Sequence, residues 1–182
     1  SCRAIDSGID DGNCLFGVII LAIGRELSQK QDTAKSDMIP IMTPLLRNYI
    51  YEHIREAWFQ NSIFTGTPWH ELVYFTHNLG TTSEEREEYG DWGDDPIDRL
   101  NNFMTEYDTF YGSVPELLAF SEIMLLNYDI RVCFRIFKHD AKEYFLRCDA
   151  VVPDSLNNPN IVINLKNIGK PDSSNSHYKL CL

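Results

Sequence analysis

The sequence lacks any apolar run of the roughly 18–20 residues that a membrane-spanning helix needs. Its longest run, from Leu15 to Ile23, contains Gly17 and stops at Gly24-Arg25-Glu26. No leader segment is visible and the chain opens on Ser1, so we read it as a piece of a longer protein. Basic residues are few: 16 Lys and Arg stand against 27 Asp and Glu, for a net charge of -11. Phosphate backbones call for clustered cations, so nucleic acid is not expected as a partner. An acidic surface gives solubility or suits a basic partner. Cysteine pairs at metal-site spacing are missing too. The five cysteines, Cys2, Cys14, Cys133, Cys148 and Cys181, are odd in number and contain no CxxC. Neither a disulfide framework nor a structural zinc site is expected, and thiols in a reducing compartment fit better. Cys133, Cys148 and Cys181 stand among alternating apolar residues and read as small core hydrophobes.

What is present is the composition of a globular domain. With 182 residues, 43% of them hydrophobic, the chain can bury a real core as one domain, residues 1–182. Cys2 to Asp6 suits a short strand, and Ser7 to Asn13 is a turn rich in Gly, Asp and Asn. An apolar helix is predicted from Cys14 to about Leu27. Ser36 or Asp37 can cap the next helix, with Pro40 in its first turn and Ile41, Leu45, Tyr49, Ile50 and Ile54 on its apolar face. Pro68 opens a shorter helix to about Leu79. Gly80 to Pro96 reads as an exposed acidic loop holding at most a short helix, and Ile97 to Tyr107 as helix again. Ser113 caps a strong helix with Pro115 and Glu116 in its first turn. After it the apolar period changes from 3.6 to 2, over Ile130–Phe137, Tyr144–Val152, Ile161–Leu165 and Tyr178–Leu182. Helices first and strands last give an α+β fold with an antiparallel or mixed sheet. Trp58, Phe59, Phe64, Trp69 and Trp92 read mostly as core residues, and none is assigned to a site.

Chemistry concentrates in Asp11-Gly12-Asn13-Cys14-Leu15-Phe16. A cysteine in the first turn of a helix meets the positive end of the helix dipole, which favours the thiolate. The turn before it offers backbone N–H groups to an oxyanion, and Gly12 allows close approach of a substrate. On these residues alone, a buried structural cysteine after an ordinary turn is the plainer reading. A thiol nucleophile also needs a base close in space. His53, His70 and His77 fall on helices, and His139 falls in a hairpin turn. His177 starts the final strand after a polar loop, where scaffolds place catalytic groups.

Taken together, three segments resemble the signatures of the ovarian tumour (OTU) family of cysteine proteases. Asp11 to Phe16 resembles the nucleophile signature. Gly112-Ser113-Val114-Pro115-Glu116-Leu117, followed by Ile130-Arg131-Val132, resembles the middle one. Ser176-His177-Tyr178-Lys179-Leu180 resembles the closing histidine strand. The resemblance implies a papain-like fold: a small central mixed sheet flanked by helices, with about residues 31–110 as a helical, ubiquitin-binding insertion similar to that of bacterial effector members. It implies a deubiquitinase in which Cys14 attacks the carbonyl of the ubiquitin C-terminal glycine and His177 moves the proton. Asp11 shapes the oxyanion loop. No metal and no cofactor are implied. The implied partners are ubiquitin and polyubiquitin chains, with no nucleic acid and no membrane expected, for a monomer expected to act in the cytosol, or in host cytosol for an effector.

Many family members carry Asn or Asp two residues after the histidine. Here that position is Lys179, which has no acceptor. The orienting group is then Asp6 or Asn175, and a carboxylate stabilises imidazolium better than an amide, which favours Asp6. Lys179 also keeps open a catalytically impaired ubiquitin-binding module. A hydrolase of small amides on the same scaffold is a third reading.

Overall fold

The change of period after Tyr128 separates helices from most of the sheet. A computed structural model describes residues 2–9, 12–28, 37–79, 83–139, 146–168 and 177–182. Among them are six α-helices: α1 (Cys14–Leu27), α2 (Ile39–Glu56), α3 (Trp69–Val73), α4 (Ser83–Tyr89), α5 (Pro96–Glu106) and α6 (Val114–Tyr128). The five strands are β1 (Ala4–Ile5), β2 (Val132–His139), β3 (Leu146–Val152), β4 (Ile161–Asn167) and β5 (Tyr178–Cys181). They form one mixed sheet in the order β1-β5-β4-β2-β3. Only β2 and β4 run parallel; the other pairings are antiparallel. The architecture is α+β. Among the described residues no helix is long and apolar enough to cross a membrane.

Alternation along the strands sends Val132, Phe134 and Ile136 of β2, and Ile163 and Leu165 of β4, into the core. α6 lays Phe120 edge-on against Phe134, with ring centroids 5.9 Å apart. α1 buries Leu15, Phe16, Val18 and Ile19 and packs on α2 and β5. Full burial of such side chains contributes about 1.5–3 kcal/mol each, so α1 is held by its packing rather than by its caps. α6 starts as its sequence suggests, with Ser113 as N-cap and Glu116 Oε2 accepting from the Ser113 N–H at 3.0 Å.

The helical stretch is aromatic inside. Trp58, Trp69 and Trp92 are buried, Phe64 is partly buried, and Phe59 alone of the five singled-out aromatics is exposed. Trp58 stacks obliquely on Phe103 at 4.8 Å and donates its indole N–H to the Pro96 carbonyl at 2.8 Å. The helix opened by Pro68 passes after Val73 into a wider π-turn, Tyr74–Asn78. The acidic stretch before Pro96 holds the short α4 and is pinned by Trp92, which points into the core.

Two expectations are corrected. The apolar face assigned to α2 is only half right: Ile50 and Ile54 are buried, but Ile41 and Leu45 are each 59% exposed and Tyr49 is exposed as well. The core face is Ile39, Thr43, Arg47, Ile50, Tyr51 and Ile54. Two polar residues can occupy it because their polar atoms are bonded: Thr43 Oγ1 donates to the Ile39 carbonyl, and Arg47 meets five acceptors described below. The helix begins after Met38 rather than on Asp37, and Ser36 lies outside the described residues. The second correction concerns Cys2 and Cys181, which form a disulfide with Cα atoms 5.2 Å apart. Pairing of β1 with β5 matches Ala4 to Cys181 and brings Cys2 diagonally across from it. Cys181 is therefore buried as half of a crosslink, whereas Cys133 is the small core residue expected and Cys148 is half-buried.

Candidate active site

β1 is short because Asp6 turns the chain. Its Oδ1 accepts from the Gly8 N–H at 2.9 Å, and Gly8 takes a φ of +82°, which glycine adopts without strain. This small turn directs Ser7 and Ile9 across the first turns of α1. Gly17 makes the crossing possible: a Cβ there would lie 2.9 Å from Ile9 Cγ1 and 3.0 Å from Ser7 Oγ. Gly112 is likewise fitted to α1, since its Cβ would meet Leu15 at 2.8 Å.

Cys14 is the first residue of α1, buried and outside any disulfide. No acidic side chain lies in the first turn, and the N-cap Asn13 does not cap the helix with its side chain. Cys14 therefore sits at the positive end of the helix dipole, a position that favours thiolate over thiol. The far end of α1, at Ala22, Arg25 and Glu26, lines a cavity of about 260 Å³ with Leu180, Cys181 and Leu182. Its near end abuts Ser7 and Ile9. α1 therefore runs alongside β5 in the same direction, with Cys14 toward the His177 end.

His177 immediately precedes β5 and its carbonyl accepts from the Ile168 N–H at 2.8 Å. Its Nε2 lies 3.2 Å from Asp6 Oδ2, and the two side chains are 26% and 38% exposed. Asp6 thus uses one oxygen for its own turn and the other for the histidine. Lys179 Nζ stands 3.6 Å from the same Oδ2. Burial alone would push the Asp6 carboxyl up, but the Gly8 N–H, the hydrogen bond and charge of His177, and the charge of Lys179 together hold it below the usual carboxylate range. With Nε2 turned to Asp6, Nδ1 points from the other side of the ring. Of the other sequence-derived candidates, Asp11 and Asn175 lie outside the described residues, as does the turn after His139.

Two residues of this site were not foreseen. Lys179, an apparent departure from the motif, stands beside the same carboxylate oxygen that meets His177. Arg47 of α2 reaches the turn that leads into Cys14: Nη1 donates to the Gly12 carbonyl at 3.2 Å and to Asn13 Oδ1 at 3.0 Å. Gly12, Asn13 and Arg47 border an open cleft of about 450 Å³ with Asp108, Thr109 and Tyr111. A signal for Arg47 existed in its spacing, four residues after Thr43 and three before Ile50, on the face that α2 turns inward. No cluster of three or more metal-ligating side chains occurs among the described residues.

Comparison with family models, curated proteins and solved structures found no match, so the functional reading rests on the three sequence segments and on this geometry.

Proposed function

We propose that the chain is a cysteine-type deubiquitinase of the OTU kind, cutting the isopeptide bond after the C-terminal glycine of ubiquitin. The observation that supports the reading most is the 3.2 Å pair of His177 and Asp6, in a chain whose α1 opens on Cys14. In this mechanism the Cys14 thiolate attacks the glycine carbonyl, and N–H groups of the preceding turn stabilise the oxyanion. His177 gives its proton to the departing lysine amine as the tetrahedral intermediate collapses to a thioester. Water then attacks the thioester, His177 takes up its proton, and the Cys14 thiolate leaves. Asp6 orients the ring and stabilises imidazolium, Lys179 steadies Asp6, and Asp11 shapes the oxyanion loop. Polyubiquitin is the substrate and the enzyme works as a monomer. Its helical stretch, α2 to α5, forms the lobe that meets ubiquitin. A cytosolic site of action belongs to the same proposal, and the Cys2–Cys181 disulfide is the observation that opposes it, since such bonds persist mainly in oxidising compartments.

A ubiquitin carrying a C-terminal electrophile tests the reading. Wild type should form a covalent adduct and Cys14→Ala should not. Binding of ubiquitin without adduct formation would favour an impaired module instead. Turnover of small amides with no reaction toward ubiquitin would favour the third reading.

A further inference from the structure

We propose that Arg47 is a positioning residue for the nucleophile, holding the Gly12–Asn13 turn so that the N–H groups at the start of α1 face the reacting sulfur. The proposal rests on Cys14 as the nucleophile, though not on ubiquitin as the substrate. The guanidinium is buried and divides its donors between two segments. Nη1 takes the Gly12 carbonyl and Asn13 Oδ1; Nη2 takes the carbonyls of Tyr107, Asp108 and Phe110 at 2.8, 3.3 and 2.8 Å. Its flat faces rest on Phe16 and Tyr51, at 5.2 and 5.1 Å from the ring centroids. It is therefore fixed in place before any substrate arrives.

Two consequences follow for Cys14. A peptide unit points its C=O and N–H in opposite directions. Pinning the Gly12 carbonyl toward Arg47 turns the Asn13 N–H of the same peptide away from it, and the turn cannot flip without breaking that bond. An asparagine at an N-cap would ordinarily use its side-chain oxygen on the N–H groups of the first turn. Asn13 does not, because Arg47 holds that oxygen. The arginine thus keeps the end of the helix from being neutralised by its own cap. Its five acceptors are all uncharged amide oxygens, so none of them cancels its charge, and a buried positive charge beside the turn favours thiolate over thiol. The charged and titratable groups on the neighbouring elements are Asp6, His177 and Lys179 at the β1–β5 edge, Asp108 on the Tyr107–Phe110 side, and Glu116 with His77 behind Tyr51 and Phe110; the Glu116 carboxylate is already held by His77, Tyr51 and Ser113.

The test is the pH profile of Cys14 alkylation by iodoacetamide, read by mass spectrometry of its peptide, alongside turnover. In wild type the profile should lie below that of an ordinary thiol. Arg47→Ala should move it up by about one pH unit, a tenfold loss of reactivity at neutral pH, and lower kcat with KM little changed. Arg47→Lys should restore most of the profile but less of kcat, because an ammonium keeps the charge and loses the fork. Asn13→Ala leaves the three contacts to Tyr107–Phe110 untouched and should lower kcat while Arg47 stays bound. It carries the decision if Arg47→Ala does not fold. Unchanged profiles and kcat in the folded variants would overturn the proposal and leave Arg47 as a brace for the 107–110 segment. An ordinary thiol profile in wild type would instead overturn the nucleophile reading itself.

Discussion

Two histidine–carboxylate pairs in this molecule have the same chemistry and opposite surroundings. His77 and Glu116 meet at 2.6 Å with side chains 8% and 0% exposed. His177 and Asp6 meet at 3.2 Å and both reach solvent. The buried carboxylate is saturated: beside His77 it accepts from the Tyr51 hydroxyl at 2.8 Å and the Ser113 N–H at 3.0 Å. His77 itself lies flat on Phe110, ring centroids 4.0 Å apart. That imidazole is almost wholly buried, and the pair ties the π-turn to the start of α6. The Asp6 pair keeps one ring nitrogen and an open side. A histidine beside an acid can thus be buried and saturated or open to solvent, and neither residue type nor spacing reveals which.

Cys14→Ala and His177→Ala should each lower di-ubiquitin turnover more than about a hundredfold, as loss of one member of a catalytic unit does, with melting temperature little changed. Glu116→Ala should do the reverse. Removing one side of a buried ion pair costs about 3–5 kcal/mol. For a domain of this size that is a drop of the order of 10 °C in Tm, with turnover per folded molecule retained. Calorimetry and a folded-fraction correction separate the two patterns. Asp6→Ala comes next, with turnover falling about tenfold or more, while Asn175→Ala stays near wild type. Thermal stability should hardly move in either, because Asp6 is half-exposed.

Acid should sharpen the contrast. Burial would raise the Glu116 carboxyl, but the charge and hydrogen bond of His77, with the hydrogen bonds from the Tyr51 hydroxyl and the Ser113 N–H, hold it below its ordinary value. A depressed carboxylate stabilises the fold above its unfolded pKa, about 4.3, and that contribution is lost as pH falls through the folded value. Asp6 is depressed as well and acts in the same direction, with a smaller effect because water screens it. Glu116→Gln should flatten the acid limb of the stability curve far more than Asp6→Asn does. The smallest effect concerns charge at a distance. Attraction between the -11 chain and the arginines of the ubiquitin tail should make kcat/KM fall as salt rises. A flat salt profile would leave the charge with solubility as its role.

Local signals in the sequence carried most of the fold. The helix from Cys14 to Leu27, the Ser113 start of α6 and the late strands all follow from period and caps. The inner face of α2 did not, because Ile41, Leu45 and Tyr49 look more apolar than Thr43 and Arg47. Which stripe turns inward depends on carbonyls supplied by residues 12 and 107–110, far away in the chain. The Cys2–Cys181 bond was hidden for the same reason: counting cysteines does not reveal that the first and last strands are neighbours. At the site, Cys14, His177 and Asp6 were legible as residue types in order. The proximity of Asp6 to His177 also depends on that closing strand pair, and so does the place of Lys179, which the motif alone made look like a defect.

Cleavage of the full set of di-ubiquitin linkages by wild type and by Cys14→Ala, side by side, decides whether the chain is a Cys14-dependent deubiquitinase. Wild type should cut at least one linkage to mono-ubiquitin, and Cys14→Ala, folded and at equal concentration, should cut none. Equal cleavage by both proteins, or none by wild type across every linkage, would contradict that reading.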